Sequence, residues 1–159
     1  MAGNIRWEGN PGVLNAGLAS DLDSLADLAI SVASAAIDNE SSNYDTHMDI
    51  ELILASADLS AVTNPSVQVH LLESVDGGTA FVDGGVSGST QTANHPAGDT
   101  ICAVLGLYAA TAAMARVAAR TMIPISPGRF KLAVLNRTGA AFGASGNTLK
   151  YRTYQIGYT

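Results

Sequence analysis

The sequence predicts an all-β chain: a jelly-roll-like antiparallel β-sandwich of about seven to eight strands, with an extended arm over residues 1–16 and a single domain over 17–159. Three observations point there. Apolar residues alternate with polar ones in several runs, the period-two signature of half-buried strands. Gly, Asn, Asp and Pro signals punctuate those runs. The 159 residues, 47% of them hydrophobic, suffice for one core and exclude a disordered chain.

The first sixteen residues are rich in Gly, Asn and Pro, with Ile5, Trp7, Val13 and Leu14 as isolated apolar positions. They read as an arm, held by its own domain or docked on a neighbouring chain, with Trp7 as the anchor. Leu18, Leu22, Leu25 and Leu28 then follow helical spacing, which predicts a short helix capped by Ser20 with Asp21 and Asp23 in its first turn. From Ile30 the pattern turns to alternation and predicts a strand ending at Ile37. Asn39-Glu-Ser41 and Asn136-Arg-Thr138 match glycosylation sequons, but Met1 to Trp7 has no apolar secretion segment, so both are discounted.

His47 to Leu54 alternates most regularly: Met48, Ile50, Leu52 and Leu54 face a core, and His47, Asp49 and Glu51 face out. Ser66 to Glu73 repeats the pattern, with Val67, Val69 and Leu71 inward and Gln68 and His70 toward solvent. Asp76-Gly-Gly78 is a turn, Phe81-Val82 a short edge piece, and Gly84 to Gly98 a long contact loop. Ile101 to Ala109 is apolar throughout, a central strand or a buried helix. Residues 110–119 are Ala-rich and helix-prone, yet Met114 to Ile125 reads as a strand that ends at a sheet edge near Pro124 and Pro127. Arg116 and Arg120 exclude a membrane span across this stretch.

Phe130, Leu132 and Val134 alternate with Arg129 and Lys131, with Arg137 further on; Leu149, Tyr151 and Thr153 alternate with Lys150, Arg152 and Tyr154. The glycines between them predict an antiparallel hairpin, whose outer face would be a basic stripe of Arg129, Lys131, Arg137, Lys150 and Arg152. These five residues and Trp7 are the candidate protein contacts. All 14 acidic residues lie between Glu8 and Asp99, and seven of the eight bases lie between Arg116 and Arg152. Either acids and bases pair within one sandwich, or the stripe meets an acidic surface on another copy or shell protein. The net charge of −6 argues against nucleic acid as the partner.

No catalytic constellation emerges. His47, His70 and His95 lack metal-ligand spacing; the first two read as solvated. Gly84-Gly-Val-Ser-Gly88 has no following Lys and is no phosphate loop. The lone Cys102 reads as a buried thiol. Tyr151, Tyr154 and Tyr158 read as core and rim residues rather than a sugar platform.

Four passages share a further likeness: Ala36-Ile-Asp-Asn39; Val67-Gln-Val-His-Leu-Leu-Glu-Ser-Val-Asp-Gly77 with Phe81-Val-Asp83; Ile123-Pro-Ile-Ser-Pro-Gly-Arg-Phe130; and Leu135-Asn-Arg-Thr-Gly139 leading to Gly146-Asn-Thr148. Over residues 30–158 the chain resembles β-sandwich structural proteins of tailed-bacteriophage virions, of the capsid-decoration or tail-associated kind. The Ala-rich 109–119 stretch departs from that pattern. The resemblance implies a non-enzymatic virion protein without cofactor, small-molecule substrate or membrane. It would be made in the host cytoplasm and would bind other copies of itself and the major capsid protein. Placement in tail, neck or baseplate is the alternative, and a carbohydrate- or receptor-binding module the reading from another class.

Overall fold

In the computed structural model the regular alternation from His47 becomes the longest inner row of the core. The structure describes residues 5–8, 14–41, 44–82, 100–109 and 113–158, with the backbone alone for 5–8 and 157–158. Among the described residues nine strands run in chain order: β1 Ile5–Glu8, β2 Asn15–Leu18, β3 Ile37–Asn39, β4 His47–Ala57, β5 Ser66–Ser74, β6 Ile101–Gly106, β7 Met114–Pro124, β8 Gly128–Arg137 and β9 Thr148–Tyr158. One sheet has the order β2-β9-β4-β7, with β1 also on β9; the other has the order β3-β8-β5-β6. Every pairing is antiparallel.

This is jelly-roll order, and nested pairing explains it. The first half of the chain pairs with the second half in reverse: β2 with β9, β3 with β8, β4 with β7, β5 with β6. Rolling that long ribbon brings β4 beside β9 and β5 beside β8, which completes two sheets with a shared core. Met48, Ile50, Leu52 and Leu54 from β4 meet Val67 and Val69 from β5 and Phe130, Leu132 and Val134 from β8 in that core.

Several sequence expectations change in this frame. The hairpin of β8 with β9 does not form. The chain crosses from one sheet to the other between them, because neighbours along a rolled ribbon alternate sheets. The helix expected from Leu18 shrinks to a single 3-10 turn, Ser20–Leu22, with no side-chain cap. Its leucines Leu18, Leu22 and Leu25 instead plug the core as the chain wraps round it. The strand expected over 30–37 is a mixed edge along β8, in which the Ser31 and Ser34 N–H groups donate to Val134 O and Leu132 O (2.8 Å each). Ile30 bridges Leu135, regular pairing resumes at Ile37, and between them Ser31 and Ser34 hydroxyls accept the Val134 and Leu132 N–H groups (3.0 Å each).

Residues 114–124 are a strand, as the alternation predicts, despite their alanines. The fifth element keeps its predicted facing, but its outer face is covered. Leu72 joins Ile30, Ala133 and Leu135 in a second buried apolar cluster with Phe81 packed against it, and His70, opposite Ala133, is buried as well. The arm is not free where it is described. Ile5–Glu8 and Asn15–Leu18 run in tandem along one edge of β9, opposite β4, and β2 straddles the boundary expected at residue 16. The loop expected over Gly84–Gly98 and His95 within it lie outside the described residues.

Candidate interaction surface

The five basic candidates do not form one stripe. Arg129, Lys131 and Arg137 lie on β8 in one sheet, and Lys150 and Arg152 on β9 in the other. Four are engaged within the chain. Arg129 meets Glu40 (3.1 Å) and Asp38 (3.6 Å) beside β3. The turn after β5 closes on its side chain at Gly78, where φ is +91° and a Cβ would stand 2.7 Å from the Arg129 Cδ. Lys131 sits over the Phe81 ring, 4.3 Å from its centroid. Lys150 faces Glu51 at 3.9 Å. Arg137 is exposed at the end of β8. Trp7 is placed by its backbone alone, opposite Ile156.

Arg152 belongs to a cluster that the sequence reading missed. Asp49, read as a solvent-facing strand residue, is 6% exposed. Its carboxylate accepts from Arg152 Nε (2.8 Å) and Nη2 (2.7 Å), the Tyr154 hydroxyl (2.9 Å) and the Met122 backbone N–H (3.0 Å). The last contact explains the cluster. Between the Met48–Ile123 and Ile50–Arg120 pairs, β7 carries an extra residue, and Met122 takes φ 56°, a conformation rare for a side-chain-bearing residue. Burial pushes the Asp49 carboxyl up, but the bonds from Met122, Arg152 and Tyr154 outweigh it and hold it below its ordinary 3.8. His47 stacks on Tyr154 with centroids 5.8 Å apart. Every group here is spent on holding the bulge.

The other polar candidates are equally structural. His47 and His70 sit in different sheets, and His70, expected in solvent, bonds Thr100 Oγ1 at 2.8 Å. Both sequon asparagines are buried. Asn39 Nδ2 donates to Asp45 O and Ser126 O, and Asn136 Nδ2 to Leu25 O and Ala140 O, which leaves no amide for a sugar. Burial pushes the Cys102 thiol up to about 12, far from a nucleophile's range. Tyr151 packs against the core. Among the described residues no group of His, Cys, Asp and Glu is placed to hold a metal.

Five of the nine exposed large apolar side chains among the described residues lie on or just beyond the two strands that end the sheets. β6 is the last strand of one sheet and β7 of the other. Val104 on β6 is 57% exposed, and Tyr108 just beyond it 79%. On β7, Met114 is 51%, Val117 64% and Met122 53% exposed. Arg116 fixes the start of β7, donating to the carbonyls of Tyr108 (3.1 Å), Met114 (3.1 Å) and Ala115 (3.3 Å). A groove of about 260 Å³ opens between the start of β6 and the end of β7, lined by Leu71, Ile101, Cys102, Ile123 and Pro124 among others. Apolar residues left exposed along a sheet-ending strand are candidates for a contact. The sequence did carry this signal, since the Ala, Val and Met residues of 101–122 prompted the comparison with a membrane span. Compared with known proteins, the chain matches no family model, no curated protein and no solved structure.

Proposed function

We propose that this chain is a non-enzymatic virion structural protein, a capsid decoration or cement protein that acts through protein–protein contacts with other copies and with the capsid shell. The observation that carries the reading is the set of exposed apolar residues on β6 and β7, strands that among the described residues end their sheets unpaired, an edge of the kind that monomeric proteins blunt. Jelly rolls serve in viral capsids and in lectins alike, so the fold alone does not choose between assembly and sugar binding. Two of the three tyrosines that could form a sugar platform weigh against it. Tyr154 is buried on Asp49 and Tyr151 packs on the core, so neither offers a stacking face. Placement in tail, neck or baseplate is the alternative within the same class.

The test is imaging of native particles with an antibody against the chain, together with protein counting in purified particles. Regularly placed, multiple copies on the head are the expected result. Purified particles without the chain would overturn the reading.

A further inference from the structure

We infer that β7 pairs edge to edge and antiparallel with β7 of a second copy of this chain, about a two-fold axis at Val117, joining one sheet of each copy into a continuous sheet. This deepens the assembly reading by naming a contact, and rests on that reading only for its setting. β4 occupies one edge of β7, and among the described residues no strand pairs with the other. An antiparallel ladder has two-fold axes of its own, so a strand edge is self-complementary wherever its side chains allow.

Two independent features select the same axis. The first is where pairing can run. β7 itself carries no extra residue from Met114 to Arg120, since the shift between Leu54 and Ala57 puts the extra residue on β4; after that the bulge at Met122 and Pro124, which has no N–H, end it. The midpoint of that stretch is Val117. The second is side-chain chemistry. With the axis at Val117, that residue faces its own copy, and Ala115 faces the partner's Ala119. This is a row of small, exposed apolar side chains on the outer face. On the other face Arg116 meets the partner's Ala118, and Arg120 meets the partner's Met114. Moving the axis one residue to Ala118 would set Arg116 against the partner's Arg120, a like-charge pair directly opposite. Residues 101–124 contain no acid, and Asp58, whose carboxyl feels the Arg116 charge, only partly offsets such a pair.

The experiment is sedimentation equilibrium of the full chain beside Val117→Lys and, with Cys102→Ala as background, oxidation of Val117→Cys and Ala119→Cys. We expect a dimer whose dissociation constant rises about tenfold or more in Val117→Lys, which would place two lysines face to face. At concentrations where both are monomers the melting temperature should be unchanged, because residue 117 faces solvent in the monomer. Val117→Cys should link to itself, since opposed Cα atoms lie about 4.5–5.5 Å apart. Ala119→Cys should not, its copies being offset by four residues, about 13 Å. A monomer at all concentrations overturns the inference, as does self-linking at residue 119 without linking at 117. A monomer that still decorates particles would sink this contact and leave the assembly reading intact. A Val117-centred dimer missing from particles would do the reverse.

Discussion

At the scale of single residues, Asp49 departs furthest from what its position in the sequence suggests. An acid between Met48 and Ile50 on an alternating strand reads as solvent-facing, and it does point away from the core. The reading fails because two neighbours cover it: Arg152 and Tyr154 from β9, and a bulge on β7 that no local pattern announces. Removing a carboxylate from such a set leaves donors buried without an acceptor. Asp49→Ala should therefore cost about 3 kcal/mol, measurable by urea unfolding, whereas Glu51→Ser should stay within about 0.5 kcal/mol. The cluster also fixes a pH response. The folded carboxyl titrates below its unfolded value of 3.8. Its stabilising effect is thus full above that value and is lost as pH falls through the lower, folded value. Asp49→Asn should flatten this part of the acid limb in a stability-versus-pH series; an unchanged limb would show that the cluster does not matter to the fold.

At the scale of elements, alternation located β4, β5, β7, β8 and β9, and it gave the inward row of β4 residue by residue. Leu52→Ala should cost about 2–5 kcal/mol, because the residue is fully buried between the sheets. The edge along β8 was only half legible. In Ile30 to Ala36 the serines look like the polar half of an alternating strand. In the structure Ser31 and Ser34 turn their hydroxyls into the ladder, accept N–H groups of β8 and donate to Val32 O and Ala35 O. Ser31→Ala and Ser34→Ala should each cost about 1–3 kcal/mol, the penalty for an orphaned buried N–H. Hydrogen exchange should show faster exchange at Val134 and Leu132; unchanged rates there would mean that another acceptor replaces the serine. Leu18, Leu22 and Leu25 misled for a related reason: their spacing fits a helix, but here it serves a chain wrapping round the core, while Leu28, the fourth of the series, is exposed.

At the scale of the whole molecule, the divided charges and the nested strand pairing are one fact. A ribbon that pairs its first half with its second brings an acidic half against a basic half. Asp38 and Glu40 meet Arg129, Glu51 meets Lys150, and Asp49 meets Arg152. The charge division was plain in the sequence; the pairing was not, because a ladder between distant strands leaves no local signature and the hairpin expected of β8 and β9 hid it. Arg152 is therefore a structural residue, and Arg152→Glu should destabilise the isolated domain instead of acting only on assembly. Exposed pairs such as Lys150–Glu51 contribute about 0–1 kcal/mol each. The bases being largely engaged within the chain, the proposed contacts lie on the exposed apolar residues of β6 and β7. The most direct test is self-association of the full chain measured by sedimentation from about 0.01 M to about 1 M salt, over which the screening length falls from about 30 Å to about 3 Å. The account predicts association that persists at high salt and is lost in Val117→Lys. Association that collapses with salt, is abolished by Lys131→Glu with Arg137→Glu, and survives Val117→Lys would contradict it.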